Sequence, residues 1–189
     1  ILLPIRGEIL ISPATSLPSI TQPLTINGYS QSGTQPNDDP IVSNAILRIR
    51  IDGAATSSAD GLNVCAPNVT IRGLAITRFE FRGILASSAC GASATQIHGN
   101  FIGLTTAGLA PAGTQMNTGI VISGTGSIGS AAPADRNVIG NGATGINVSN
   151  SNVSVLGNLL GRNPADTAAR TLTTGITFLS TGLTGATVG

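Results

Sequence analysis

Apolar residues in this chain come in short alternating runs, and the runs return in a fixed order. One set reads "VTIRG" (69–73), "TQIHG" (95–99), "GSIG" (126–129), "VSVLG" (153–157) and "ATVG" (186–189). A second set is "LAIT" (74–77), "NFIG" (100–103), "NVIG" (137–140) and "NLLG" (158–161). A third is "GLNV" (61–64), "GILA" (83–86), "GIVI" (119–122), "GINV" (145–148) and "GITF" (175–178), with looser forerunners in "LTING" (24–28) and "LRIRIDG" (47–53). Counted on the central residue of the first set, Ile71, Ile97, Ile128, Val155 and Val188 stand 26, 31, 27 and 33 residues apart. Each interval holds three segments of period two, rich in Ile and Val, which is the pattern of strands; helical spacing never persists through a full 11-residue window.

Such short segments, with one or two inward apolar side chains each, cannot make a core alone. Stacked in register about 4.8 Å apart they can, because each strand pairs with its copies above and below while the inward Ile, Val and Leu fill the interior. The pattern therefore predicts an all-β fold: a single parallel β-helix, a three-sided β-solenoid of about five to six coils spanning residues 1–189. Asn100, Asn137 and Asn158 fall at the same corner of successive coils. Their side-chain amides are expected to form a structural ladder that satisfies buried corner groups. Gly73, Gly99 and Gly157 permit the tight corner beside them.

Composition agrees. Charged residues are 9% of the chain, against about 25% in an average soluble domain, so the surface must be made of Ser, Thr, Asn and Gly. All nine basic residues are Arg, scattered along a chain of net charge +1, which points away from nucleic acid as a partner. Apolar runs are too short and broken to span a membrane, so no membrane insertion is expected. Cys65 and Cys90 have no zinc-like spacing with each other or with His98, the single His. They are either two buried thiols or a disulfide between neighbouring turns, and the disulfide would imply an oxidising compartment.

The stretches "LTINGYSQSG" (24–33), "VTIRGLAITRF" (69–79), "GNFIGLTTAG" (99–108) and "RNVIGNGATGINV" (136–148) resemble right-handed parallel β-helix repeat proteins of the pectin-lyase-like kind. In particular the chain looks like the long secreted bacterial forms built on "GNxIG" coils, and the likeness holds from about residue 20 onward. The resemblance implies right-handed coiling and an extracellular or cell-surface location. It implies no single reaction, since lyases, epimerases, adhesins and structural stalks share these coils.

Enzymes of this architecture generally act on acidic polysaccharides, using carboxylates to hold Ca²⁺ and a base to move the proton. The connections from the second set to the third should emerge along one edge of the stack. They carry Asp52, Asp60, Arg78, Glu80, Arg82, Arg162, Asp166 and Arg170. A groove there offers a candidate site for an anionic glycan, with Arg as the clamp. On the face of the first set, Arg72 and His98 should be stacked neighbours, a base beside an anion binder, but no carboxylate lies in that column to orient them. The same face offers a mixed row of Thr, Gln and Ser to sugar hydroxyls or ordered water. Asp38 and Asp39, in "SQSGTQPNDDP" (30–40), are the one adjacent acidic pair and the candidate for Ca²⁺; no other cofactor is expected.

Ala75, Phe101, Val138 and Leu159 form an apolar stripe on an outward face that ought to be wet, so either a loop or another chain covers it. The opening "ILLPI" and the closing "ATVG" carry no amphipathic capping helix, although a solenoid end needs a cap. The chain is thus expected to be part of a longer protein or of an end-to-end assembly. The functional expectation is a secreted or cell-surface structural or adhesive solenoid that self-associates, using the stripe as its assembly patch. The rivals are a lyase or epimerase acting on acidic polysaccharide and a non-catalytic glycan-binding module.

Overall fold

The structure, a computed structural model, describes residues 7–150, 152–179 and 186–189; the opening "ILLPI" lies outside the described residues. β1 (Ile9–Ile11) and β2 (Thr25–Asn27) begin the stack, and β3 (Ile49–Asp52), β4 (Leu62–Val64) and β5 (Thr70–Arg72) make the next turn. The cycle repeats through β6 (Leu74–Thr77), β7 (Arg82–Ala86) and β8 (Thr95–His98), then β9 (Phe101–Ile102), β10 (Met116–Ile122) and β11 (Gly126–Ile128). It continues with β12 (Val138–Ile139), β13 (Gly142–Val148) and β14 (Val153–Val155), and with β15 (Leu159–Leu160), β16 (Leu172–Phe178) and β17 (Thr187–Val188). β1 pairs with β3, and from β2 onward every third strand pairs in parallel, giving sheets ordered β1-β3-β6-β9-β12-β15, β4-β7-β10-β13-β16 and β2-β5-β8-β11-β14-β17. The chain is a three-sided parallel β-helix of six turns, the first represented on one side only by Ile20, which bridges to Val64. β1 lies ahead of the sequence repeat, in a segment whose lone "ILI" carries no copy spacing to mark it.

The register explains the repeat. Ile71, Ile97, Ile128 and Val155 stand in one inward column, Ile76, Ile102 and Ile139 in a second, and Ile84, Ile120 and Ile146 in a third. All are buried, and each contributes roughly 1.5–3 kcal/mol by leaving water. The corners are as tight as glycine allows: at Gly103, with φ +79°, a Cβ would sit 1.8 Å from the Gly140 carbonyl oxygen of the next coil.

At the Asn corner the amides run up the stack. Asn100 Nδ2 donates to the Ile71 carbonyl and its Oδ1 accepts from the Leu74 amide. Asn137 Oδ1 accepts from the Asn100 amide, and Asn137 Nδ2 donates to Ile97 O and to Asn158 Oδ1, both at 2.8 Å. Asn158 Nδ2 closes on Ile128 O. Cys65 and Cys90 are disulfide-bonded and tie two adjacent turns.

The stripe is where the structure departs from an assembly patch. Ala75, Phe101 and Val138 are buried and Leu159 is half-buried, because the long connection between β2 and β3 folds over them. Leu47, Ala45 and Tyr29 from that connection pack on the stripe together with Leu104. The connection closes on itself through Gln35 and Ile46. It is then fastened across the stack, Ser43 N donating to Pro164 O and Asn37 Nδ2 to Pro133 O. Arg136 adds its guanidinium to the carbonyls of Asp39, Pro40 and Val42. The chain's own loop thus covers the surface that a second chain would need.

Candidate functional site

The charged edge forms, but as clips between coils. Asp52, at the end of β3 and fully buried, receives Arg78 Nε at 2.8 Å and Nη2 at 2.6 Å from the coil above. Burial pushes its carboxyl pKa up, but the Arg78 hydrogen bonds, the Ala54 amide and the charges of Arg78 and Arg50 outweigh that and hold it below the ordinary value. Arg50 also meets Glu8 at 3.0 Å. Arg82 lies 3.5 Å from Asp60, and Glu80 Oε2 accepts from the Ser58 amide. Farther along, Arg162 pairs with Asp166 inside one loop, while Arg170 reaches back to Gly108 O. The connections between these two groups, 103–115 and 140–141, carry no charge. The edge therefore brings together Asp52, Asp60, Arg78, Glu80 and Arg82, leaves Arg162, Asp166 and Arg170 apart, and spends its arginines on its own carboxylates and carbonyls.

Asp38 and Asp39 are likewise engaged within their loop. Asp39 Oδ1 accepts from the amides of Val42 and Ile41, which hold its pKa below the ordinary carboxylate value, and Asp38 Oδ1 accepts from Asn44 Nδ2. Among the described residues no three His, Cys, Asp or Glu side chains converge as a metal site would require.

The first-set face holds a different kind of cluster. In register along it run Thr25, Thr70, Gln96, Ser127, Ser154 and Thr187, a continuous hydroxyl and amide row. Beside it Arg72 and His98 are paired neighbours. His98 Nε2 is 2.8 Å from Ser127 Oγ, and His98 Nδ1 is 3.6 Å from Asp135 Oδ1. The missing acid is thus present. It comes from a short 3-10 turn, Pro133–Asp135, set into the corner that follows β11. Ser130 Oγ donates to Asp135 Oδ2 at 2.6 Å, and the Gly99 amide donates to the Asp135 carbonyl, so the turn is held against His98.

Tyr29 floors the cluster. Its hydroxyl donates to Gly99 O at 2.7 Å, its ring carries the Arg72 guanidinium 5.4 Å from the centroid, and burial raises its pKa to about 12. Arg72 Nε is buried and has no hydrogen-bond partner among the described residues. Burial lowers the His98 pKa from its ordinary value, Asp135 opposes the shift and Arg72 reinforces it, so the imidazole is neutral at pH 7. The ring keeps 14% of its side chain exposed and Asp135 keeps 23%.

Sequence reasoning missed Ser127 and Asp135 as partners of His98, although a signal existed. Five residues separate Ile71 from Ile76, Ile97 from Ile102 and Val155 from Leu160, but eleven separate Ile128 from Ile139. That corner carries the insertion "SAAPAD" (130–135), and an insertion into an otherwise minimal corner is where a solenoid can place new chemistry.

No protein-family model matches the chain, and neither the curated proteins nor the solved structures compared with it contain a match.

Proposed function

We propose that this chain is a rigid segment of a secreted or cell-surface β-solenoid with a structural or adhesive role. The observation that carries the reading is the way the charged edge is used. Arg78, Arg82, Arg162 and Arg170 are held by groups of the same chain, two of them across neighbouring coils and Arg170 across two turns. An edge built to grip an anionic glycan would leave such arginines free; this one stiffens the stack. The Cys65–Cys90 bond supports an oxidising, extracellular setting. The strapped loop over Phe101 removes the lateral patch, so self-association is assigned to strand pairing along the stack axis.

Electron microscopy of the natural, unproteolysed material at several concentrations tests this. Fibres one solenoid wide that lengthen with concentration are expected. Isolated rods of constant length, together with depolymerisation of a uronate polymer in Ca²⁺, would replace the structural reading with the lyase one.

A further inference from the structure

The cluster on the first-set face does something the structural role does not require. A solvated sheet face has no need of a serine, an imidazole and a carboxylate in sequence, still less of a corner insertion that brings the carboxylate in. We infer that Ser127, His98 and Asp135 form a nucleophile–base–acid relay that hydrolyses acyl esters, with an O-acylated polysaccharide laid along the hydroxyl row as the substrate class.

The geometry assigns each role. Asp135 faces Nδ1, which favours the tautomer with its proton there and leaves Nε2 as the acceptor for the Ser127 hydroxyl at 2.8 Å. The 3.6 Å between Nδ1 and Asp135 is ion-pair range and longer than a hydrogen bond. Such catalytic contacts commonly shorten in the Michaelis complex. In the first half-reaction Ser127 Oγ attacks the ester carbonyl carbon and its proton passes to His98 Nε2. The carbon–oxygen bond to the sugar then breaks, and the sugar oxygen leaves with the proton from Nε2. In the second half, water attacks the acyl-serine, His98 takes one water proton and returns it to Ser127 Oγ, and the carboxylic acid departs. Atoms and charge balance, with water as the sole co-reactant.

The surroundings suit that chemistry. Gln96 stands directly beside Ser127 in the strand register, is exposed, and carries an amide able to donate to an oxyanion. The charged groups beside the imidazole are Arg72 on the neighbouring strand and Asp135 on the corner turn. Burial and Arg72 keep it neutral, the state a general base must start from, against the opposing pull of Asp135. The polymer class follows from the row itself: Thr25, Thr70, Gln96, Ser154 and Thr187 flank Ser127 at one strand spacing each, which matches an extended polyhydroxylated chain better than a compact ester.

The test uses the full chain, incubated with a fluorophosphonate probe and assayed on p-nitrophenyl acetate and on O-acetylated xylan. Expected are a single phosphonylated peptide containing Ser127, release of acetate from both esters, and loss of both activities to background in Ser127→Ala and His98→Gln. The acid limb of the rate should have its midpoint below the ordinary imidazole value of about 6.5. Asp135→Asn should lower the rate and move that midpoint further down, because it removes the carboxylate that opposes the shift; a purely structural role would not move it. Thermal unfolding of each variant confirms that the fold is intact, and Ser127→Ala, at a half-exposed position, keeps the test open if His98→Gln does not fold. Absence of labelling and of turnover overturns the relay. So does p-nitrophenyl acetate hydrolysis that survives Ser127→Ala. Turnover of p-nitrophenyl acetate without release of acetate from the xylan overturns the substrate class.

Discussion

Asn137 shows how much one side chain carries in a coil of this kind. Its amide is shared among the Asn100 amide, the Ile97 carbonyl and Asn158, and both Asn100 and Asn137 are fully buried. Asn137→Ala leaves at least two of these groups unpaired, at about 1–3 kcal/mol each. A loss of roughly 3 kcal/mol, read from denaturant midpoints, is expected. Asp52 carries a pH dependence. Its folded pKa lies below the ordinary carboxylate value of 3.8, so the stability it contributes is complete above that value and is lost as pH falls through the lower folded one. Acid unfolding should therefore steepen below about pH 4 in the wild type and be shallower in Asp52→Asn. That variant should cost about 3 kcal/mol at pH 7, near the lower bound for breaking a buried pair, because Arg78 is partly solvated. Urea titrations at a series of pH values check both.

Among the elements, the loop over residues 31–47 behaves as a strap. It holds no regular strand, yet it is anchored at Asn37, Ser43 and Leu47 and seals the outer face of one sheet. Its apolar contacts centre on Phe101, one of the two largest fully buried side chains among the described residues. Phe101→Ala should cost about 3–5 kcal/mol, open the 31–47 segment to limited proteolysis and speed its amide exchange. Sedimentation should show no loss of association, which separates this element from an assembly patch. The Pro133–Asp135 turn is the strap's neighbour in space, and Arg136 fastens the two together. Both are additions to a minimal coil, and both change what the sheet face beneath them can do.

At the scale of the whole molecule, stability is a sum over coils joined by nearest-neighbour contacts. The disulfide closes a span of 25 residues between two of them, and the loop-entropy relation sets its contribution at about 3.5 kcal/mol. Reduction should lower unfolding stability by that amount while leaving the far-ultraviolet spectrum of the folded state unchanged. Breadth of the transition is informative as well: a stack held only by its neighbours can lose end coils first, whereas the strap, running from the first turns to Pro164, should keep the turns it crosses melting together.

Three columns of inward Ile and Val, the Asn corners and the order of the strands were legible in the residues alone. Each coil writes them again at nearly constant spacing, and a strand's partner is its own copy. The same logic placed Arg72 beside His98, one rung apart. It could not reveal what covers the apolar stripe, which charges pair, or which acid faces the imidazole. Those depend on contacts of no fixed spacing: Arg78 meets Asp52 26 positions away and Asp135 meets His98 37 away, while Tyr29 with Gly99 and Arg136 with Asp39 lie 70 and 97 apart. They are made by loops that break the repeat, and a loop has no copy from which its position can be read. Ser127 and His98 are 29 residues apart and one coil displaced, and Asp135 reaches them only through a corner lengthened by six residues. Periodicity determined the scaffold; the closing of unrepeated segments back onto it decided where the chemistry sits.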